Sequence, residues 1–356
     1  MAQNNFLPAK VFPAIYSGYN DLLNGIYSEW GLDSYAEKLT FLQTLQDSVK
    51  ELWNEYQKTE ISPNYRRHDY QIVYLLRYFF PHSLVVPAIL DSLWNRDEFS
   101  EKLSALFEWR YFHVFRDECC HHYLNNRLLT TSFFGCGPCP ELYGLMHYLG
   151  NRESRITRIS SAMFDIEPTI KDSETLPVIV NDHLECPGWE YSKVITFEQL
   201  LHQVQKPRLY KFTDFESDIA AEDGNFLHPT SEKWVKNSNL IVSQFCLNEI
   251  PTPRHGQLKT NLMHVLNIME PGALMLIVER QGYVEELLED LHDQLSIKFS
   301  DSIQMCRESY NQLNLRDLNN HHIPEEIVHN LFLRIQDNGT WLANKVDYHW
   351  LAIFKY

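Results

Sequence analysis

A glycine turn and a set of acidic side chains carry the chemistry in this sequence. Phe134-Gly135-Cys136-Gly137-Pro138-Cys139-Pro140-Glu141 ends a β-prone run over residues 128–134. It leads into Leu142, Leu145, Met146 and Leu149 at helical spacing, with Gly150 as a stop signal. Glycines at 135 and 137 allow positive φ and close approach of backbone to a ligand, and the helix that follows offers unpaired N–H groups at its first turn. A strand, turn and helix of this kind grips a nucleotide-like cofactor, with Gly135, Cys136, Gly137 and Pro138 as the contact residues. The alternative is a purely structural strand-to-helix turn.

Four further apolar runs position the acidic groups. A doubly wound sheet binds its ligand at the carboxyl ends of the strands, so functional residues belong just after each run. Residues 156–164 end in Asp165-Ile166-Glu167, where Asp165 can accept hydrogen bonds from two ribose hydroxyls and Glu167 is the fallback. Residues 209–212 end in Thr213-Asp214-Phe215, expected at an adenine edge. Residues 239–245 carry Gln244 as a further cofactor contact and lead into Asn248 and Glu249. Residues 273–278 end in Glu279. Asn248 suits the edge of a nucleobase or amide and Glu249 can accept a proton or fix a donor, which makes this pair the catalytic candidate. Helix capping by Asn248 is the structural alternative.

The turn separates cofactor classes. A dinucleotide fingerprint reads G-x-G-x-x-G, and its third glycine is here Pro140, which speaks against a nicotinamide dehydrogenase. G-x-G-P resembles motif I of the Rossmann-like class I S-adenosylmethionine-dependent methyltransferases. It departs from that motif at Phe133, where an acid is common, and at Cys139, where a glycine is usual. The order of elements from 127 to 356 is similar to the complete class I core, which implies a last strand antiparallel to the rest; the aromatic-rich run 348–354 fits that place. The words Tyr74-Leu75-Leu76-Arg77-Tyr78-Phe79-Phe80-Pro81, Phe134-Gly135-Cys136-Gly137-Pro138 and Leu247-Asn248-Glu249 also look similar to fungal large-subunit ribosomal-RNA uridine-N3 methyltransferases and to mitochondrial ribosome-assembly methyltransferase-like proteins. The resemblance implies an α/β fold with helices on both faces of the sheet, S-adenosyl-L-methionine as cofactor, and methyl transfer to a small molecule or an RNA base. The second function to weigh is a cofactor-binding assembly or regulatory protein without turnover.

Residues 1–126 read as a helical cap placed before the sheet. Ser34 and Glu37 form a capping box ahead of an apolar stripe of Leu42, Leu45, Val49, Leu52, Trp53 and Tyr56. A second helical pattern runs over 69–93, interrupted by Pro81 and Pro87, and a third over 98–123. Tyr70, Tyr74, Arg77 and Tyr78 could reach the pocket, with core packing as the alternative for the aromatics. Linkers are expected at 61–68 and 171–187.

The chain has 356 residues, 44% hydrophobic and 13% aromatic, enough for a large core. It lacks a run of eighteen apolar residues and a signal-like start, so neither a membrane span nor secretion is expected and a cytoplasmic setting is the default. Its 31 basic against 47 acidic residues give a formal charge of −16, which works against nonspecific attraction to polyphosphate and makes DNA an unexpected partner. Arg254, His255 and Lys259 form a local basic group on the expected active face, while Arg152, Arg155 and Arg158 belong at the opposite end of the sheet. Seven cysteines read as reduced thiols. Cys119-Cys120-His121-His122 are adjacent and diverge where zinc needs four converging ligands, and Cys136 of Cys136-x-x-Cys139 falls inside the glycine turn, so no metal is expected. Neither G-x-S-x-G nor G-x(4)-G-K-[ST] is present.

Overall fold

The computed structural model describes residues 7–58, 63–109, 127–152, 154–165, 190–204, 206–221, 226–280, 284–333 and 342–356. Seven strands form one sheet: β1 (Arg127–Phe134), β2 (Ile156–Asp165), β3 (Arg208–Glu216), β4 (Leu240–Gln244), β5 (Leu274–Arg280), β6 (Ile303–Asn314) and β7 (Lys345–Lys355). Their order is β3-β2-β1-β4-β5-β7-β6, with β7 antiparallel to both of its neighbours and the pairs among β1 to β5 parallel. This is a Rossmann-like α/β sheet whose last strand is reversed, as the resemblance implies.

The central strands are apolar throughout because both faces are covered. Along β5, Leu274, Leu276 and Val278 belong to one core, and Met275 and Ile277 to the other. The second core is capped by the helices Pro229–Lys236, His255–Ile268 and Glu285–Lys298. The first holds the helix Pro140–Asn151, and the N-terminal helices share it without a break. Gly144 shows how tightly: a Cβ there would sit 1.8 Å from the Ser83 carbonyl oxygen.

The capping box forms as the sequence predicts: Ser34 Oγ accepts from the Glu37 N–H, and Glu37 accepts from the Ser34 N–H at 2.8 Å. The second helical pattern is not broken by its prolines. His68–Trp94 is one helix, and Leu75–Phe79 is wound as a π-helical turn just before Pro81. Widening the turn there accommodates a residue that lacks an N–H. His68–Trp94 is the one helix among the described residues long and apolar enough to cross a membrane, and 89% of its most apolar window is buried inside the protein.

β2 and β3 run further than expected, to Asp165 and Glu216. β6 has no counterpart in the sequence expectations. The tetrad Cys119 to His122, the third helical pattern beyond 109, Glu167 and the 171–187 linker lie outside the described residues.

Candidate functional site

β1 and β4 are neighbours, yet their connections leave toward opposite sides of the sheet, so a crevice opens beyond their carboxyl ends. A cavity of about 410 Å³ lies there, lined by Gly135, Cys136 and Gly137 after β1, Asp165 at the end of β2, and Ser217, Asp218 and Ile219 after β3. Gln244 to Cys246, Asn248 and Glu249 close it from the β4 side. The N-terminal region adds an aromatic wall of Trp53, Tyr56, Tyr65, Tyr74, Tyr78 and His82.

The glycine turn is built as its composition requires. Gly135 and Gly137 have φ of 59° and 49°. The Gly135 N–H donates to the Phe164 carbonyl at 2.7 Å, and the Gly137 N–H to Asp165 Oδ2 at 3.0 Å. Asp165 therefore fastens the turn to β2 and also faces the cavity. Pro138 belongs to the turn without lining the cavity. Cys136 and Cys139 are buried, and burial pushes both thiols up, which disfavours the thiolate that metal binding or nucleophilic attack needs. Among the described residues no group of three or more His, Cys, Asp or Glu is arranged to hold a metal ion.

The β4 side is strained as well, as Cys139 at φ 59° strains the turn. Phe245, beside Gln244, has φ 57°, a left-handed conformation that costs a bulky residue energy and is retained at functional sites. Its ring meets His82 at 4.6 Å between centroids. His82 is kept neutral by burial, with its pKa lowered to about 3. The Gln244 amide donates to the His82 carbonyl at 3.1 Å, and its Oε1 has no partner among the described residues.

Asn248 and Glu249 sit on a one-turn 3₁₀ helix, Leu247–Glu249. Glu279 holds that turn by accepting from the Leu247 N–H at 2.7 Å, a positioning role from within β5. Asn248 is 7% exposed, and neither atom of its amide has a hydrogen-bond partner among the described residues. It caps no following helix among the described residues, since those helices have no side-chain cap bond. The Glu249 carboxyl is pushed up to about 8 by burial, reinforced by the like charges of Asp165 and Glu279.

One expected contact moves. Asp214 and Phe215 lie within β3 and do not line the cavity. Asp214 instead accepts from Lys193 Nζ with both oxygens at 3.1 Å, and Phe215 stacks on Phe164 at 5.2 Å. Because β3 continues to Glu216, the side chains at its open end are Ser217 to Ile219. Tyr74, Arg77 and Tyr78 reach the cavity as predicted, whereas Tyr70 turns away to donate to Glu51 at 3.1 Å.

The basic group beside the cavity is occupied. Arg254 pairs with Asp218, Lys259 with Asp290, and His255 Nε2 lies 3.0 Å from the Ile250 carbonyl oxygen. At the other end of the sheet Arg152 pairs with Asp91 at 2.5 Å and stacks over Trp94.

No protein-family model matches the chain, and no curated protein matches it. Solved structures to which it is similar include precorrin-6y C5,15-methyltransferase from Geobacter metallireducens, at 9% identity and a TM-score of 0.33 over 74% of this chain and 92% of that one. Another is the plantazolicin methyltransferase in complex with S-adenosylhomocysteine, at 12% identity and a TM-score of 0.31 over 88% of this chain and all of that one. The fold assignment stands on the strand order and the reversed β7.

Proposed function

We propose that the protein is an S-adenosylmethionine-dependent methyltransferase acting on a small-molecule acceptor. The observation that carries the reading is the Asn248 amide, buried in the cavity at the sheet's switch point with its donor and acceptor both unspent among the described residues. A buried amide left without partners is costly, and a ligand that supplies them recovers that cost.

The residues present fit the cofactor. The bare backbone of Gly135 and Gly137 admits close approach, Asp165 offers acceptors for ribose hydroxyls, and Ser217 to Ile219 with Gln244 flank the base. When bound, S-adenosylmethionine supplies an electrophilic methyl group on a sulfonium. Asn248 orients the acceptor by its polar edge, and the tyrosine wall excludes water from it. Glu249 takes the acceptor's proton: a carboxyl held near 8 is matched to proton transfer at neutral pH. Its neighbour Asp165 keeps the site acidic, which favours a positively charged ligand.

A small acceptor suits the surroundings better than RNA, because Arg254 and Lys259 are already paired with carboxylates and the chain carries a formal charge of −16. Incubation with methyl-labelled cofactor and fractionated extract tests this. Label is expected in a low-molecular-weight fraction and lost with Asn248→Ala; label confined to RNA would overturn the small-molecule assignment. Absence of transfer from a protein that binds the cofactor would favour the non-catalytic binding role.

A further inference from the structure

We propose that Glu141 anchors the cationic α-ammonium group at the amino-acid end of the cofactor, an assignment that rests on the cofactor reading above. Glu141 is the second residue of the helix Pro140–Asn151, which leaves the glycine turn. It is 3% exposed and lines the cavity, and its Oε2 has no hydrogen-bond partner among the described residues. The contacts that favour its charge are its own backbone N–H and the Cys139 thiol, while the ionised group beside it, Asp165, has the same sign. Burial accordingly holds the carboxyl up at about 8. Among the described residues no Lys, Arg or His makes an ion pair with it.

An acid in the first helical turn ordinarily faces water, where it complements the helix dipole. Glu141 faces the ligand cavity instead, where a buried carboxylate is tolerated when a cation meets it. Asp214 shows the chain supplying that cation: Lys193, itself 0% exposed, closes on it. At Glu141 the cation is left to the ligand. Asp165 is committed to the turn and the ribose, so the charged amino-acid end falls to the start of this helix. There Glu141 is the side chain that suits the ammonium.

The test compares S-adenosylhomocysteine with its deamino analogue, which keeps the carboxylate and the neutral thioether, by titration calorimetry. Wild type should prefer S-adenosylhomocysteine by about tenfold to a hundredfold, the range of a charge-assisted hydrogen bond. In Glu141→Gln, and in Glu141→Met as a second variant of similar volume, that preference should fall below about threefold while the deamino analogue binds as it does to wild type. Retention of the preference, or equal weakening for both compounds, would overturn the assignment alone. Failure of wild type to bind either compound would overturn the cofactor reading and this assignment together.

Discussion

Two carboxylates less than eighty residues apart, Asp214 on β3 and Glu141 at the start of the helix after β1, are both shut away from water, and the chain treats them in opposite ways. Asp214 is met by the Lys193 ammonium, against which burial works but whose pKa is raised by Cys136, Asp214 and Asp165. Glu141 receives no cation from the described residues and keeps a bare oxygen toward the cavity. The same division holds for amides: Asn261 spends its Nδ2 on the Ile219 carbonyl at 2.8 Å, while Asn248 spends neither amide atom. In these two pairs the group that braces the sheet is closed and the group at the crevice is open.

The sharpest way to break the comparison is to open the closed side. Lys193→Met strands a buried carboxylate and should cost about 3–5 kcal/mol of unfolding free energy in urea titrations, whereas Lys193→Met combined with Asp214→Leu should recover much of it. A loss below about 1 kcal/mol in the single variant would show that the pair does not brace the fold. Next in size is Asp165→Ala. It removes a charged acceptor from ribose and unties the Gly137 N–H, so cofactor affinity should fall about tenfold to a hundredfold by calorimetry, or about 1.5–3 kcal/mol.

A smaller effect is expected from pH. Glu141, Glu249 and Glu279 each have carboxyls held near 8 in the fold, above the ordinary value of 4.5. At these three carboxyls the folded chain binds more protons than the unfolded chain between those values, whereas burial lowers His82 to about 3 and His147 to about 4 and acts in the opposite sense up to their ordinary value of 6.5; from about 6.5 to 8 the carboxyls govern and stability declines as pH rises. Thermal melts across that interval check the sign, and Glu141→Gln should flatten the decline; a rise in stability over the same interval would contradict the site's electrostatics. Smallest is the stability effect of Asn248→Ala. With no bonds to lose among the described residues, it should shift unfolding by less than about 0.5 kcal/mol while methyl transfer collapses. A loss of about 1 kcal/mol would instead reveal a structural role for the amide.

Much of this arrangement is legible in the amino-acid order. The two glycines, the helical spacing of Leu142 to Leu149 and the apolar runs before Asp165 and Asn248 reflect local rules, and local rules place β1, β2, β4, β5 and β7 with little help from the rest of the chain. β6 escapes because it is an edge strand, with Tyr310 exposed and Gln304, Arg307 and Asn311 along it, so its composition reads as a loop. The far end of β3 escapes because Thr213, Asp214 and Glu216 are polar, and only pairing to β2 extends the strand to Glu216. Glu141 is hidden for a different reason: Glu in a first helical turn is ordinary, and only tertiary packing turns it inward. Tyr56 and Trp53 belong to an apolar stripe in the sequence, yet the stripe runs up to the cavity and they become part of its wall.

The central claim is that the crevice beyond β1 and β4 takes S-adenosylmethionine at the turn of Gly135 and Gly137. Calorimetric titration of wild type and Gly137→Val with S-adenosylhomocysteine tests it most directly, because valine at φ 49° both strains the backbone and places a branched side chain where the ligand must lie. The account predicts one site per chain in the wild type and loss of binding in a variant that still shows a cooperative thermal melt. Unchanged affinity in folded Gly137→Val, or tighter binding of NAD than of S-adenosylhomocysteine to the wild type, would contradict it.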